Sequence, residues 1–341
     1  MRIIRILAHR TRHSRLAVAA LAVVTVAGCG AQSPGHQSPG HQPPAHQSAG
    51  QHAGTDTALV VAAVPASGAS GLYIAQTDGF FRAAGLRVTI ESAASAADVV
   101  PGLVSGSVNV ALGQWTSALA AAQSGVRLSA IAPGNDGGPG LEELVTGSRS
   151  KITSLKQLAG QTIAINALSG LTQILAEDAL AAAGVHPDQV RFIAVPFPEM
   201  GAALAKGEVG AAFMIQPYLT ADKAQVRELQ DIYSITSQGF PLTGYFSARS
   251  WAEGHQAALA AFEKALARGQ RIAATDRAAV DAAMVRYTGV SAATASVMAL
   301  GTFPSSVQAP QLERVADLMR RYGLLPATAN TTALAEGLVN R

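Results

Sequence analysis

The sequence predicts an α/β protein of two lobes, each a mostly parallel sheet flanked by helices, with a cleft between them. Three observations predict it. Short apolar runs of strand length alternate with stretches of helix length, the pattern of parallel strands joined by helical crossovers. That order occurs twice, about a hundred residues apart. Of 341 residues, 49% are apolar and 14% charged, which supports a sizeable core and excludes a wholly disordered chain.

The N-terminal segment precedes the fold. Residues 1–28 carry Arg2, Arg5, Arg10, Arg12 and Arg15 and no acid. Residues 16–28 (LAVAALAVVTVAG) form an apolar run that falls short of the roughly 20 residues a membrane-spanning helix needs. Basic and then apolar, the segment reads as a secretory signal outside the fold. It ends Val26-Ala27-Gly28-Cys29, which resembles a bacterial lipobox, where the chain is cut before a cysteine whose thiol takes the lipid. The alternative is an ordinary signal with a chance cysteine. The lipobox implies anchoring at the outer face of the cytoplasmic membrane through lipidated Cys29, palmitate being one acyl chain, and two chains suffice for stable attachment.

Residues 29–56 follow as a tether. SPGHQ at 33–37 recurs at 38–42 and degenerates to PPAHQ at 43–47. Such a segment cannot bury a core and spans roughly 30 Å as a coil. His36, His41, His46 and His52 are read as part of a polar spacer, with weak metal binding the alternative.

Lys plus Arg number 25 and Asp plus Glu 22, a formal +3. Removing the five N-terminal arginines leaves 20 against 22, or −2. A chain this near neutrality has no electrostatic footprint for nucleic acid. One cysteine excludes an internal disulfide framework and a multi-cysteine metal site.

In the body, 57–64 (TALVVAAV) reads as a buried strand, 65–71 as a loop, and a helix follows through Arg82 to a stop at Gly85. Strand 86–91, helix 95–105 and strand 108–112 come next. The second round has strand 162–166, turn 167–172, a helix ending at Gly184, strand 190–195, a helix from Glu199 and strand 209–215. Residues 103–108 (LVSGSV) align with 204–209 (LAKGEV) at an offset of 101; chance likeness of alanine-rich helices is the alternative. Strand 242–248 then leads to helices near 255–273, 276–287, 291–300 and 308–322, with Ser291 as an N-cap and Gly289 and Gly323 as stops. These helices are expected on the first lobe.

Ligands in open parallel sheets bind beyond the carboxyl ends of strands. That rule nominates Ser67, Gly68 and Ser70 after the first strand and Gln114, Trp115 and Thr116 after the third. In the second lobe it nominates Ser169, Gly170, Thr172, Phe213, Gln216 and Tyr218; Gly244 and Tyr245 flank the return crossing. Helix capping is the alternative for the Ser and Thr residues, and Trp115, Phe213 and Tyr218 either cover a ligand or fill the core. Neutral donors at helix N-termini favour an anion or a polar group.

Catalytic signatures are absent: no G-x-S-x-G, no G-x-x-x-x-G-K-[ST], no H-E-x-x-H. His186 and His255 read as solvated, Gly134–Gly140 as a mobile loop, and Glu142-Glu143 as a solvated face. No enzyme activity, metal or cofactor is expected.

Residues 71–88 (GLYIAQTDGFFRAAGLRV), 103–111 (LVSGSVNVA), 152–164 (ITSLKQLAGQTIA) and 204–218 (LAKGEVGAAFMIQPY) carry a resemblance. Together they resemble the nitrate/sulfonate/taurine and pyrimidine-precursor class of solute-binding proteins that serve ABC importers. The resemblance covers about 57–250 well and the C-terminal helices loosely. It implies a two-lobed, periplasmic-binding-protein-like fold of type II. It places hinge crossings near 146–150 and 236–241, lobe one at 57–147 plus 240–341, and lobe two at 148–239. It also implies a small polar or anionic organic ligand, a permease and an ATPase as partners, and a monomer. The class often has Asp where this chain has Asn109 and Gly210, and an acid where it has Gln216. An enzyme on the same fold and a sensing lipoprotein are the competing functions.

Overall fold

The computed structural model describes residues 57–93, 99–234 and 239–340. The expected signal 1–28, Cys29 and the tether 29–56 lie outside the described residues.

The strands are β1 (Thr57–Ala63), β2 (Leu86–Ser92), β3 (Val110–Gln114), β4 (Leu128–Pro133), β5 (Glu142–Gly147), β6 (Thr162–Ile165), β7 (Arg191–Ala194), β8 (Ala211–Ile215), β9 (Val226–Asp231) and β10 (Thr243–Ala248). They form two five-stranded sheets, β2-β1-β3-β10-β4 and β7-β6-β8-β5-β9. In the first, β1 pairs in parallel with β2 and β3, and β10 runs antiparallel between β3 and β4. In the second, β6 pairs in parallel with β7 and β8, and β5 runs antiparallel between β8 and β9. The two orders superimpose strand for strand, with β10 and β5 in the matching antiparallel place.

This topology moves one expected boundary. Residues 142–147 do not belong to the first lobe, because β5 lies between β8 and β9 in the second sheet. The chain first crosses at 134–141 rather than 146–150. The segment's opening acids, Glu142 and Glu143, conceal a strand whose remaining residues are largely buried. The return lies between Asp231 and Thr243, and 235–238 of it are outside the described residues.

Local sequence explains the other shifts. The expected helix 72–82 is two, Ser70–Thr77 and Phe80–Ala83, broken at Gly79 with φ +71°. Strand β3 extends to Gln114, two residues past its expected end, and Trp115 opens the helix Trp115–Gln123. The expected N-cap Ser291 accepts a hydrogen bond from the Thr294 N–H at 3.0 Å.

Each sheet is covered on both faces. Over one face of the first sheet, Leu72, Ile74, Phe262, Leu266 and Met284 of the helices Ser70–Thr77, Gln256–Thr275 and Arg277–Thr288 meet Leu59, Val61 and Val110. A second apolar cluster runs through both lobes, joining Leu119, Leu312, Val315 and Met319 to Ile163, Leu171, Ile174 and Leu175. The C-terminal helices therefore do more than cap the first lobe. Tyr322, just past the helix Ala309–Arg321, donates its hydroxyl to Asp178 on the second lobe's helix Leu171–Ala182.

Candidate functional site

The strand-end arrangement leaves a cavity of about 70 Å³ between the lobes. The first lobe lines it with 64 and 66–69, the end of β3 from Leu112 to Gln114, and with Asn135, Leu242 and Thr243. The second lobe adds Leu141, Glu142, Asn166, Phe197, Ile215 and Gln216. No Lys, Arg or His is among these residues. A wider hollow of about 290 Å³ adjoins, sharing Gln114 and Asn166 and adding Thr116, Ser169 and Gly170.

Four of the nominated residues meet in the first cavity: Ser67, Gly68, Gln114 and Gln216. Gln114 and Gln216 end the matching strands β3 and β8, so the duplicated fold brings them to one space. Gln216 is 5% exposed. Its amide nitrogen donates to the Gly140 carbonyl at 2.9 Å, while its Oε1 has no partner. The Gln216–Pro217 peptide bond is cis.

Thr116, Ser169 and Gly170 face the adjoining hollow. The Thr116 hydroxyl is buried without a partner, so it caps no helix. Ser169 adopts φ +58°, left-handed backbone that L side chains rarely take, and its N–H donates to Gln173 Oε1 at 2.8 Å.

The remaining nominees serve the scaffold. Ser70 is tied by its hydroxyl to the Ser67 carbonyl at 2.6 Å. Thr172 donates to Asn166 Oδ1 at 2.7 Å and so orients a cavity residue. Tyr218 stacks with Phe197, ring centres 6.1 Å apart, and its hydroxyl donates across the cleft to the Pro65 carbonyl at 3.2 Å. Trp115, Phe213 and Tyr245 are fully buried in apolar clusters and line neither space. Phe213 and Tyr245 point from mid-strand positions into the layers between sheet and helices. Gly244 lies under the Trp115 indole: a Cβ there would fall 1.8 Å from Cζ2.

Sequence reasoning missed Asn135, Glu142, Asn166, Phe197 and Thr243. Asn166 ends strand 162–166 as read from sequence, so the strand-end rule contained it. Phe197 opens a helix directly after β7, and the same rule covers it. Asn135 and Thr243 carried no such signal. They meet only because the two crossings run side by side: Thr243 Oγ1 donates to Asn135 Oδ1 at 2.6 Å. Gly68 closes this corner, since a Cβ on it would lie 2.3 Å from Asn135 Oδ1.

Glu142 is a correction. It is not on a solvated face but 7% exposed on the cavity wall. The Tyr233 hydroxyl donates to Glu142 Oε2 at 2.8 Å. Burial pushes Glu142 up to about 7, and the Tyr233 bond works against that rise. Tyr233, buried beside the carboxyl, is held well above its ordinary value and stays a donor. Glu143 also departs from the expectation: half-buried, and crowded by Glu228 and Asp231, it too rises to about 7.

A family model described as NMT1/THI5 like matches residues 67–299, well over half of the chain. The protein belongs to the NMT1/THI5-like family. Solved structures similar to this family member agree in fold. The periplasmic aliphatic sulphonate binding protein SsuA from Escherichia coli is 19% identical, with 82% of this chain and 99% of that chain covered at a TM-score of 0.65. The alkanesulfonate-binding protein SsuA from Xanthomonas axonopodis pv. citri, bound to MOPS, is also 19% identical, with coverage of 84% and 99% and a TM-score of 0.71. The periplasmic nitrate-binding protein NrtA from Synechocystis PCC 6803 is 14% identical, with coverage of 83% and 86% and a TM-score of 0.72. No curated protein sequence matches this chain. The fold is thus the periplasmic-binding-protein fold.

Two positions where this NMT1/THI5-like chain departs from the common pattern of its class are structural. Asn109 Oδ1 accepts from the Val60 N–H at 2.7 Å and ties β1 to the start of β3. Gly210 receives the Thr146 hydroxyl on its carbonyl at 2.8 Å, and a Cβ there would lie 2.7 Å from Gln161 Oε1. Neither lines the cavity.

Proposed function

We propose that this protein is an extracytoplasmic solute receptor that captures a small polar or anionic organic molecule between its lobes and delivers it to an ABC importer, doing no chemistry itself. One observation carries the reading: Gln114 and Gln216, from matching strand ends of the two sheets, line one cavity. A ligand touching both lobes at once favours their closed arrangement by its differential contacts. The cross-cleft bond from Tyr218 to Pro65 is a contact that a closed arrangement makes and an opened one loses. The permease and ATPase read closure.

The test is a thermal-shift screen of sulfonates, nitrate, taurine, aromatic acids and pyrimidines. A true ligand at a hundred times its Kd adds about 2.7 kcal/mol of stability, a shift of roughly 5 °C or more for a protein of this size. Gln114→Ala is expected to weaken that ligand at least tenfold while leaving the unliganded Tm nearly unchanged. Silence across the whole screen refutes the receptor reading.

Anchoring is proposed at Cys29, the chain's single cysteine, placed where the lipobox requires it. In the native host, Cys29→Ser is expected to move the protein from the membrane fraction to the soluble one and to abolish labelling by a clickable palmitate analogue. Unchanged labelling would refute the assignment.

A further inference from the structure

We propose that the end of the first lobe farthest from the cleft, where the chain enters the fold at Thr57, is a docking face for an anionic membrane surface, with Arg127 and Arg249 holding a lipid phosphate in the hollow they share with the helix Thr331–Val339. The inference rests on the anchoring at Cys29 proposed above.

The geometry begins with strand direction. In the first sheet β1, β2, β3 and β4 run one way and β10 runs the other. The cleft residues follow the carboxyl ends of β1 and β3, so the strand starts and the end of β10 form the opposite edge of the lobe. Thr57 pairs there with Leu86, and Leu128 with Ala248. Arg127 and Arg249 flank that last pair, and the Arg249 N–H donates to the Arg127 carbonyl at 2.9 Å. Neighbouring strands lie about 5 Å apart, which puts the arginine pair about 10–15 Å from Thr57 across β3 and β10.

The two arginines line a hollow of about 260 Å³. Its other walls are small or apolar, with Val126 and Leu128 from the first sheet's side and Leu334 and Leu338 from the helix. No Asp or Glu lines it. Arg249 is fixed in place: its Nη2 donates to the Gly337 carbonyl and, at 3.1 Å, to the Asn340 carbonyl, while its Nε is buried with no partner. Arg127 is exposed, and its side chain has no partner among the described residues. Planar guanidinium groups match a phosphate through paired N–H contacts.

Arg82 and Arg87, both exposed, stand at the same end, just before and at the start of β2. Asp78, Glu253 and Glu336 are nearby acids, and none of them lines the hollow. Anionic headgroups attract such a cluster only over about 8 Å at physiological salt, so the face must be brought to the bilayer. Residues 29–56 span roughly 30 Å as a coil, and they join the body at the arginine end rather than at the cleft. A free phosphate would use the arginines alone. The apolar walls and the point of chain entry favour a lipid, whose glycerol meets carbon where its phosphate meets guanidinium.

The test uses the mature protein purified from host membranes and reconstituted on vesicles of phosphatidylcholine, alone or with a third of the lipid as phosphatidylglycerol. Flotation reports the anchor, and amide hydrogen exchange reports the face. The expected result is that peptides covering 122–130 and 333–340 exchange at least fivefold more slowly on the phosphatidylglycerol vesicles than on phosphatidylcholine alone, while cleft peptides covering 64–69 do not change. Arg127→Glu and, independently, half-molar salt on the wild type are each expected to remove that protection without releasing the protein. The salt arm keeps the test decisive if the variant folds poorly. Equal protection by inorganic phosphate on phosphatidylcholine vesicles would assign the hollow to a free anion and overturn the membrane face. Equal exchange on both vesicles, with flotation intact, would overturn this inference and leave the anchor standing. Failure to float on either would overturn both.

Discussion

Trp115→Ala is expected to destabilise the protein by about 3–5 kcal/mol, the range for deleting a large buried aromatic side chain. The indole is 1% exposed and tilts against Phe246, ring centres 6.3 Å apart. It rests on Gly244 of β10, where no side chain can be accommodated. Gly244→Ala drives a methyl group into the indole and is expected to cost about 1–3 kcal/mol or more by overpacking. The pair offers a sharper test than either alone. With the indole gone, the new methyl group fills part of the space it vacated, so the double variant should be more stable than the sum of the single losses by at least about 1 kcal/mol. Urea unfolding of the wild type and three variants measures this, and strict additivity would show that the two residues are not in contact. Because Trp115 directly follows Gln114, any loss of ligand affinity in these variants comes through a displaced Gln114 rather than a lost stacking partner.

The second large effect is one of pH. Glu142 rises from an ordinary 4.5 to about 7 in the folded protein, through burial. Between those values the folded state holds the proton and the unfolded state has released it. Stability therefore falls as pH rises through this window: the carboxyl is harmless below about 4.5 and exerts its full penalty above about 7. A shift of this size corresponds to about 3 kcal/mol. Glu143, raised by burial and by Glu228 and Asp231, and Asp136, raised by burial against the opposing Arg314, push in the same direction. Glu142→Gln isolates one contribution. The variant is expected to match the wild type near pH 4.5 and to exceed it by up to about 3 kcal/mol at pH 8.5. Parallel stability curves across that range would refute the assignment.

The sequence was legible where burial writes a pattern. Strands β1, β6 and β8 are covered on both faces or nearly so, and they read as apolar runs; β7, an exposed edge strand, was legible from its apolar residues alone. Gln114 and Gln216 were nominated because strand ends in parallel sheets are a general place for ligands, and both line one cavity. Strand β9 (VRELQD) was not read, since its polar and half-buried residues show no alternation. Strand β5 was hidden by the acids at its start, and the same two residues hid the most unusual feature of the cavity. Nothing local distinguishes a solvated glutamate from Glu142; only the approach of Tyr233, 91 residues away, and of the β8 end makes it buried. Trp115 shows the opposite case: of the two roles its strand-end position left open, covering a ligand or filling the core, its buried side chain takes the second.

The antiparallel strands at the heart of each sheet differ in one respect: β5 is continuous with its four companions, whereas β10 arrives after them all. Residues 142–231 hold every strand of the second sheet. The first sheet cannot join β4 to β3 until Thr243–Ala248 has been made, because β10 is the strand between them. On a growing chain the half encoded in the middle is thus the first able to complete its hydrogen-bonded ladder, and the half that begins the body must wait for it. As the chain emerges N-terminus first, its strand order favours an inside-out assembly, opposite to the usual N-terminal-first sequence.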